Sequence, residues 1–381
     1  MRAALFVETG GDLVIEDITP AAPGPRDVVV QLGASGVCHS DLSIKNGFVP
    51  MMPGMVLGHE GAGKVIEVGA EVTKVKPGDT VIASFIPACG VCIPCLSDQS
   101  HLCDTEMEVM MTPRGTRAGG DPVMTMTGLG TFAETMTVAQ SSVIKVETDI
   151  PMDQLALIGC GVTTGVGAAL NTAAVHPGAT VAIIGCGGVG LSVLQGARIA
   201  GASRIIAIDQ GTEKRAAAEA QGATDFVNGL DGDPLAQVME LTGGRGVDYA
   251  FEVTIGTPEV LTQAYGMVKK GGEMIMVSMP RMEGQFTVST FDLFYSEKTI
   301  KGCKYGSAQV RRDFQRFVDL AETGRLDLAG HSGGNLSDAF RAGADARDQQ
   351  RTSSGRATRP DTETTTDADV RIAASPAATR S

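Results

Sequence analysis

"ATVAIIGCGGVGLSVLQGARIAGASRIIAID", residues 179–209, reads as an apolar strand, a glycine turn, a helix and a second apolar strand. Gly185, Gly187 and Gly190 form G-x-G-x-x-G directly after "VAII", with Gly188 in the same turn. The first glycine permits the tight turn, the second lets the backbone approach a pyrophosphate, and the third allows close helix–strand packing. The helix N-terminus then offers N–H groups and a positive dipole end to the phosphates. The second strand ends at Asp209, about twenty residues past the last glycine. A carboxylate there accepts from the adenosine ribose hydroxyls of NAD and repels the extra phosphate of NADP. NAD is therefore the expected dinucleotide.

Downstream, "GVDYAFEVT" and "GGEMIMVSM" read as buried strands separated by the helical "TPEVLTQAYGMVKK". Strand–helix alternation of this kind predicts a doubly wound parallel sheet, an α/β architecture. Upstream, residues 154–197 carry no Asp, Glu, Lys or Arg. Gly, Thr, Asn171 and Pro177 interrupt them repeatedly, so buried strand, loop and helix fit better than a membrane span.

At 381 residues the chain has length for two domains, and 43% hydrophobic with 20% charged residues is ordinary for a soluble globular protein. A formal charge of −13 argues against nucleic acid as a partner. Glu8 and Asp12 fall where a signal peptide needs an unbroken apolar core, so a cytoplasmic protein is expected. Thiols stay reduced there, and clustered cysteines point to metal or catalysis rather than disulfides.

Cys89, Cys92, Cys95 and Cys103 follow C-x2-C-x2-C-x7-C within "CGVCIPCLSDQSHLC". Four thiolates from one loop can close a tetrahedron around zinc, leaving no position for substrate, so the expected role is structural. Free cysteines or a redox-active C-x-x-C pair are the alternatives. Cys38 in "GVCHSDL", His59 in "GHEGAG" and Cys160 in "LIGCGVTTG" are each weak signals alone. Two Cys and one His together would leave zinc's fourth position open, as catalysis requires.

On these residues the chain resembles the zinc-dependent alcohol dehydrogenases of the medium-chain dehydrogenase/reductase superfamily. "GHEGAGKVIEVGAEV" fits that family's zinc signature through Gly58, His59, Glu60, Gly63, Gly69 and Val72. The resemblance runs from residue 1 to about residue 330 and implies a GroES-like β-rich catalytic domain beside the doubly wound Rossmann NAD-binding domain. It implies two zincs: a catalytic one on Cys38, His59 and Cys160, with Glu60 as alternative ligand and Asp41 orienting His59, and a structural one on the four-cysteine loop. Zinc then acts as a Lewis acid on an alcohol whose carbon passes hydride to nicotinamide.

The resemblance further implies that Ser40 takes the alcohol proton into a relay through the cofactor ribose. Many relatives end that relay at a histidine where this chain has Ser43, which cannot act as a base near neutral pH, so release straight to water is the expectation. His39 matches a pyrophosphate contact, Thr164 and Val189 match nicotinamide contacts, and Lys214 matches a ribose contact. Phe85 matches an aromatic wall of the alcohol pocket. The Met-rich "EMEVMMTPRG" and "MTMTGLG" suit an adaptable pocket lining or ordinary packing equally. Primary aliphatic or aromatic alcohols are the expected substrates. The alternatives are a dehydrogenase of formaldehyde–thiol adducts and a folded NAD-binding protein with little turnover. A homodimer or homotetramer is implied, its dimer contact made through the strand that "EMIMVSM" resembles.

The implied organisation is a catalytic domain from residues 1–161 and 305–345 carrying a zinc lobe at 85–107, with a NAD-binding domain at 162–304. Resemblance fails after His331, although "LSDAFRAG" keeps a hint of a closing helix. Beyond residue 341 only Val370 and Ile372 are large and apolar, which predicts a disordered tail at 346–381 and no closing strand. A shifted reading frame or terminal divergence would account for such a tail.

Overall fold

The computed structural model describes residues 1–330 in full, together with the backbone of His331 and of residues 371–374. The chain packs into two compact units. The first comprises Met1–Phe85, Met110–Leu157 and the described residues from Leu328 onward; the second comprises Ile86–Val109 and Ile158–Asp327.

Two sheets build the first unit. One holds Arg2–Phe6, Val14–Asp17, Thr19–Pro20, Met55–Val56, Gly115–Thr116 and Pro122–Thr125. The other is centred on Asp27–Val37 and Glu60–Val68, flanked by Thr135–Ala139, Thr80–Ala83 and Val143–Lys145. Alternation explains the long strand Asp27–Val37: Val28, Val30, Leu32 and Ala34 are buried while Gln31 and Gly33 face outward. From Ala34 to Val37 every residue is buried, so this strand delivers Cys38 from a closely packed base.

In the second unit six parallel strands lie in the order Asp225–Asn228, Arg204–Asp209, Thr180–Ile184, Val247–Glu252, Val268–Met276 and Thr299–Gly302. By sequence that order is 3-2-1-4-5-6, the doubly wound arrangement. The central strands are covered on both faces, which is why Thr180–Ile184 and Arg204–Asp209 are buried and almost continuously apolar, whereas the outer strand Thr299–Gly302 is largely exposed. Val181, Ile183, Ile205 and Phe251 enter one core, while Ala182, Ile184, Ile206 and Ala250 enter the other. Each fully buried Ile or Phe among them contributes roughly 1.5–3 kcal/mol. Pro at the first helical position, behind Asp233 and Thr257 caps, starts the helices Pro234–Leu241 and Pro258–Met267.

Residues 152–172, which take in much of the charge-free stretch, form an apolar helix that is mostly buried.

Three expectations change. The cysteine lobe and residues 305–327 pack with the second unit, because their hydrogen bonds are made to one another. The strand containing "EMIM" is paired on both sides and has no free edge for a dimer contact; the outer strand is Thr299–Gly302. Within the tail, Arg371–Ala374 form a strand parallel to Ala34–Val37, which corrects the expectation of disorder and of a missing closing strand for those four residues. Backbone pairing needs no large side chains, so composition conceals it. The remainder of the tail, including "LSDAFRAG", lies outside the described residues.

Candidate functional site

In the first unit, Cys38 is the N-cap of the short helix His39–Lys45. Asp41 accepts the Cys38 N–H (2.9 Å) with one carboxylate oxygen and the Gly58 N–H (3.0 Å) with the other. One buried carboxylate thus fixes the backbone at Cys38 and at the residue before His59. Its Oδ1 also stands 3.6 Å from His59 Nδ1. That separation exceeds hydrogen-bond reach, and Nδ1 is left buried without a partner. Burial opposes charge on the ring, but Asp41 and Cys38 outweigh it and hold the His59 pKa well above its ordinary 6.5.

Cys38, His59 and Glu60 each place a ligand atom within 4.8 Å of the others. Room for the Glu60 carboxylate exists because residue 36 is glycine; a Cβ there would lie 1.9 Å from Glu60 Oε2. Thiol, imidazole and carboxylate are the donors zinc takes, and an inward-turned Nδ1 facing a carboxylate is how a metal-bound imidazole is usually held. The donor set fits the expected metal. The Ser40 hydroxyl lies 3.6 Å from Cys38 Sγ. Phe85 packs edge-on to His59, ring centroids 5.7 Å apart. Ser43 is half-buried on the same helix, and His39 is exposed.

In the second unit, Cys89, Cys92, Cys95 and Cys103 bring their four Sγ atoms within 4.8 Å of one another. Cys89–Cys95 and Cys92–Cys103 sulfur separations are both 3.8 Å. A tetrahedron with metal–sulfur bonds of about 2.3 Å has edges of about 3.8 Å, whereas a disulfide needs about 2.05 Å. None of the eight cysteines is in a disulfide. Val91 and Cys92 N–H groups both point at Cys89 Sγ at 3.4 Å. The Asp104 backbone N–H draws the Cys92 thiol down to about 7, while burial pushes Cys95 up to about 12. The loop fits a closed four-thiolate site.

Cys160 is buried in the π-helical turn Ile158–Val162 of the second unit. Thr164 follows it on a helix pressed against the glycine-turn helix; a Cβ at Gly165 would lie 2.4 Å from the Val189 carbonyl oxygen. Thr164 and Val189 are both half-buried.

At the glycine turn, Gly185 takes a φ of +102°, and Gly187 caps the helix Gly188–Ile199. A Cβ on Gly190 would stand 1.8 Å from the Gly185 carbonyl oxygen, so only glycine closes this turn. Asp209 accepts the Cys186 N–H (2.7 Å) and the Gly211 N–H (3.1 Å), so it anchors the turn and the loop after its own strand. Lys214 is close enough to act electrostatically on the buried Cys186 thiol.

One residue at this edge gives no signal in sequence. Glu252, fully buried at the end of its strand, accepts from Thr254 N (2.7 Å), Gly256 N (3.2 Å) and the hydroxyls of Thr254 and Ser278. It ties together loops at the carboxyl end of the sheet, where dinucleotides bind in such folds. In "FEVT" it looks like an ordinary strand terminus. The methionines divide: Met126 is core, while Met107 and Met111 are exposed.

Comparison with known families and proteins agrees with this geometry. Residues 24–148 match the alcohol dehydrogenase GroES-like domain, and residues 188–323 match the zinc-binding dehydrogenase family. The chain is 39% identical over 339 residues to the NDMA-dependent alcohol dehydrogenase of Amycolatopsis methanolica, covering 86% of this chain and 90% of that one. It is 37% identical to the alcohol dehydrogenase class-3 of Cereibacter sphaeroides, over 86% and 91% of the two chains. Among solved structures, benzyl alcohol dehydrogenase from Acinetobacter calcoaceticus superposes with a TM-score of 0.83 at 30% identity, covering 91% of this chain and 96% of that one.

Proposed function

From a chain that belongs to the zinc-dependent alcohol dehydrogenases of the medium-chain dehydrogenase/reductase superfamily, we infer reversible oxidation of primary aliphatic or aromatic alcohols to aldehydes, with hydride passing to NAD. The observation that carries this reading is the sequestered donor set Cys38, His59 and Glu60, with Asp41 braced behind it.

Cys38, His59 and Cys160 would hold the catalytic zinc, with Glu60 as an exchangeable fourth donor, and the four-cysteine loop would hold a second zinc. When bound, the catalytic zinc contributes Lewis acidity that eases proton loss from an alcohol and so favours hydride transfer to nicotinamide. Ser40 sits beside the Cys38 sulfur and would accept the alcohol proton. With Ser43 on the same helix in place of a base, the proton leaves to water. Phe85, edge-on to His59, would wall the pocket against the substrate's apolar body.

Gly185, Gly187, Gly188 and Gly190 leave the backbone open to the pyrophosphate, which His39 would also approach. Asp209 and Lys214 would take the adenosine ribose, and Thr164 and Val189 would pack the nicotinamide ring. The benzyl alcohol named for the Acinetobacter relative is in keeping with an aromatic substrate. We place the enzyme in the cytoplasm as a homodimer or homotetramer, with the outer strand Thr299–Gly302 as the free sheet edge for a dimer.

The test is nicotinamide reduction with a panel of alcohols, on protein whose zinc content has been assayed. About two zincs per chain with turnover on a primary alcohol is the expected result. Two zincs with neither alcohol oxidation nor aldehyde reduction would instead favour a folded NAD-binding protein. Running the panel with NDMA, on which the Amycolatopsis relative depends by name, separates exchanging NAD from NAD that stays in place.

A further inference from the structure

The turn Tyr305–Ser307 is held in an unusual way. Tyr305 is buried with a φ of 54°, a left-handed conformation that is costly for an aromatic residue and persists only where surroundings impose it. Its hydroxyl donates to the carbonyl oxygen of Gly159, the residue before Cys160. The next residue, Gly306, fits against the helix that follows Cys160; a Cβ there would lie 2.3 Å from the Thr163 carbonyl oxygen. Asn171 donates to the Gly306 carbonyl oxygen (3.2 Å), and the Thr172 and Ser307 hydroxyls share a 2.8 Å hydrogen bond. The Cys160 turn is therefore gripped before and after by one three-residue segment.

That segment is in turn locked to the four-cysteine lobe. Lys304 pairs with Glu106, and Ser100 Oγ donates to the Ala308 carbonyl oxygen (3.2 Å). Gln309 donates to Asp98 (3.0 Å), and Arg311 donates to the carbonyl oxygen of Ala88, beside Cys89 (3.0 Å). Four contacts spread over the lobe thus converge on residues 304–311, all within the second unit.

We propose that Tyr305 is a positioning residue for Cys160, and that the four-cysteine lobe acts through residues 304–311 to keep that turn in its metal-binding conformation. The proposal rests on the reading of Cys160 as a zinc ligand. A π-helical turn is a local distortion that needs such support, because its hydrogen bonds differ from those of the helix on either side. Removing the hydroxyl frees the Gly159 carbonyl, lets the turn relax, and moves the Cys160 sulfur away from the geometry that a metal demands.

The experiment follows zinc release from the zinc-loaded enzyme into a chromophoric chelator. Cys160→Ser identifies the phase belonging to the catalytic metal by abolishing it, and Cys95→Ser identifies the lobe phase. Tyr305→Phe is expected to accelerate the Cys160-dependent phase at least tenfold and to leave the lobe phase unchanged. A general loss of stability would accelerate both phases and would overturn the proposal. So would unchanged release in Tyr305→Phe beside a missing phase in Cys160→Ser, with the ligand reading intact. Retention of both zincs by Cys160→Ser would remove the ligand reading and the proposal with it. Should Tyr305→Phe not fold, Glu106→Gln decides the matter at the lobe end: faster release of the Cys160-dependent metal supports the coupling, and unchanged release overturns it.

Discussion

The carboxylate of Asp41 accepts the backbone N–H of Cys38 at 2.9 Å, and its second oxygen holds the Gly58 N–H at 3.0 Å. The strand ending at Val37 and the turn entering His59 are thereby set in register by one side chain. Asp41→Asn would turn an amide NH2 toward one of these donors, stranding a buried N–H at a cost of about 1–3 kcal/mol. It would also withdraw the charge facing His59. The expected result is a tenfold to hundredfold weaker hold on the catalytic zinc, as is typical when such a partner is lost. Competition with a chelator checks it, and the zinc of the four-cysteine lobe should be unaffected.

Asp209 illustrates a residue with two tasks. It anchors the Cys186 and Gly211 N–H groups, and in the proposed reading its charge would also repel the extra phosphate of NADP. Asp209→Ala should lower kcat/KM for NAD by about tenfold to hundredfold, the loss of a charge-assisted hydrogen bond or two. It should also narrow the preference for NAD over NADP. Measuring kcat/KM with both dinucleotides checks this; an unchanged preference would show that selectivity resides elsewhere.

Short-range patterns account for most of what is legible in the amino-acid sequence alone. The doubly wound sheet is legible because G-x-G-x-x-G, flanking apolar strands and Asp209 constrain one another over a short distance. The four-cysteine lobe is legible because its ligands share one loop. Glu252 and Tyr305 are not: Tyr305 acts on Gly159, far away in sequence, and Glu252 binds mostly nearby N–H and hydroxyl groups that a strand-terminal Glu does not announce. Lobe membership is hidden because its partners are distant: residues 88–103 follow the first unit in sequence but hydrogen-bond to residues 304–311. That the strand containing "EMIM" is paired on both sides is hidden as well, because an apolar run says that a strand is buried, not whether it lies at an edge.

Arg204 and Asp225 join neighbouring parallel strands through two hydrogen bonds of 2.8 and 2.9 Å. The guanidinium holds the Asp225 pKa below its ordinary 3.8, against a smaller opposing effect of burial. A depressed carboxylate pKa stabilises the fold above the unfolded value and loses that contribution as pH falls through the folded value. Asp225→Asn should therefore cost roughly 1 kcal/mol at neutral pH, the scale of a half-exposed pair. The difference from the parent should vanish in acid below both values. Denaturant unfolding of the two proteins across that range checks the sign.

Strand Arg371–Ala374 lies along the edge of Asp27–Val37 that Thr135–Ala139 leaves open. Thr135–Ala139 pairs with residues 27–31 of that edge, and residues 371–374 continue it along residues 34–37, immediately before Cys38. Glu60–Val68 occupies the opposite edge, so no other described strand can replace the tail there. Ending the chain after Asp369 would leave backbone N–H and C=O groups beside Cys38 without their ladder. Each hydrogen bond lost is worth about 0.5–1.5 kcal/mol, offset in part by the entropy of no longer ordering the tail, which leaves a net cost of roughly 1–3 kcal/mol. The truncated protein should melt at a lower temperature and lose zinc from the Cys38 site more readily than the full chain, while NAD affinity at the glycine turn stays unchanged. Equal melting temperature and zinc retention in the two proteins would mean that the tail contributes nothing to this edge, and that Cys38 is held by Asp41 and the Glu60–Val68 ladder alone.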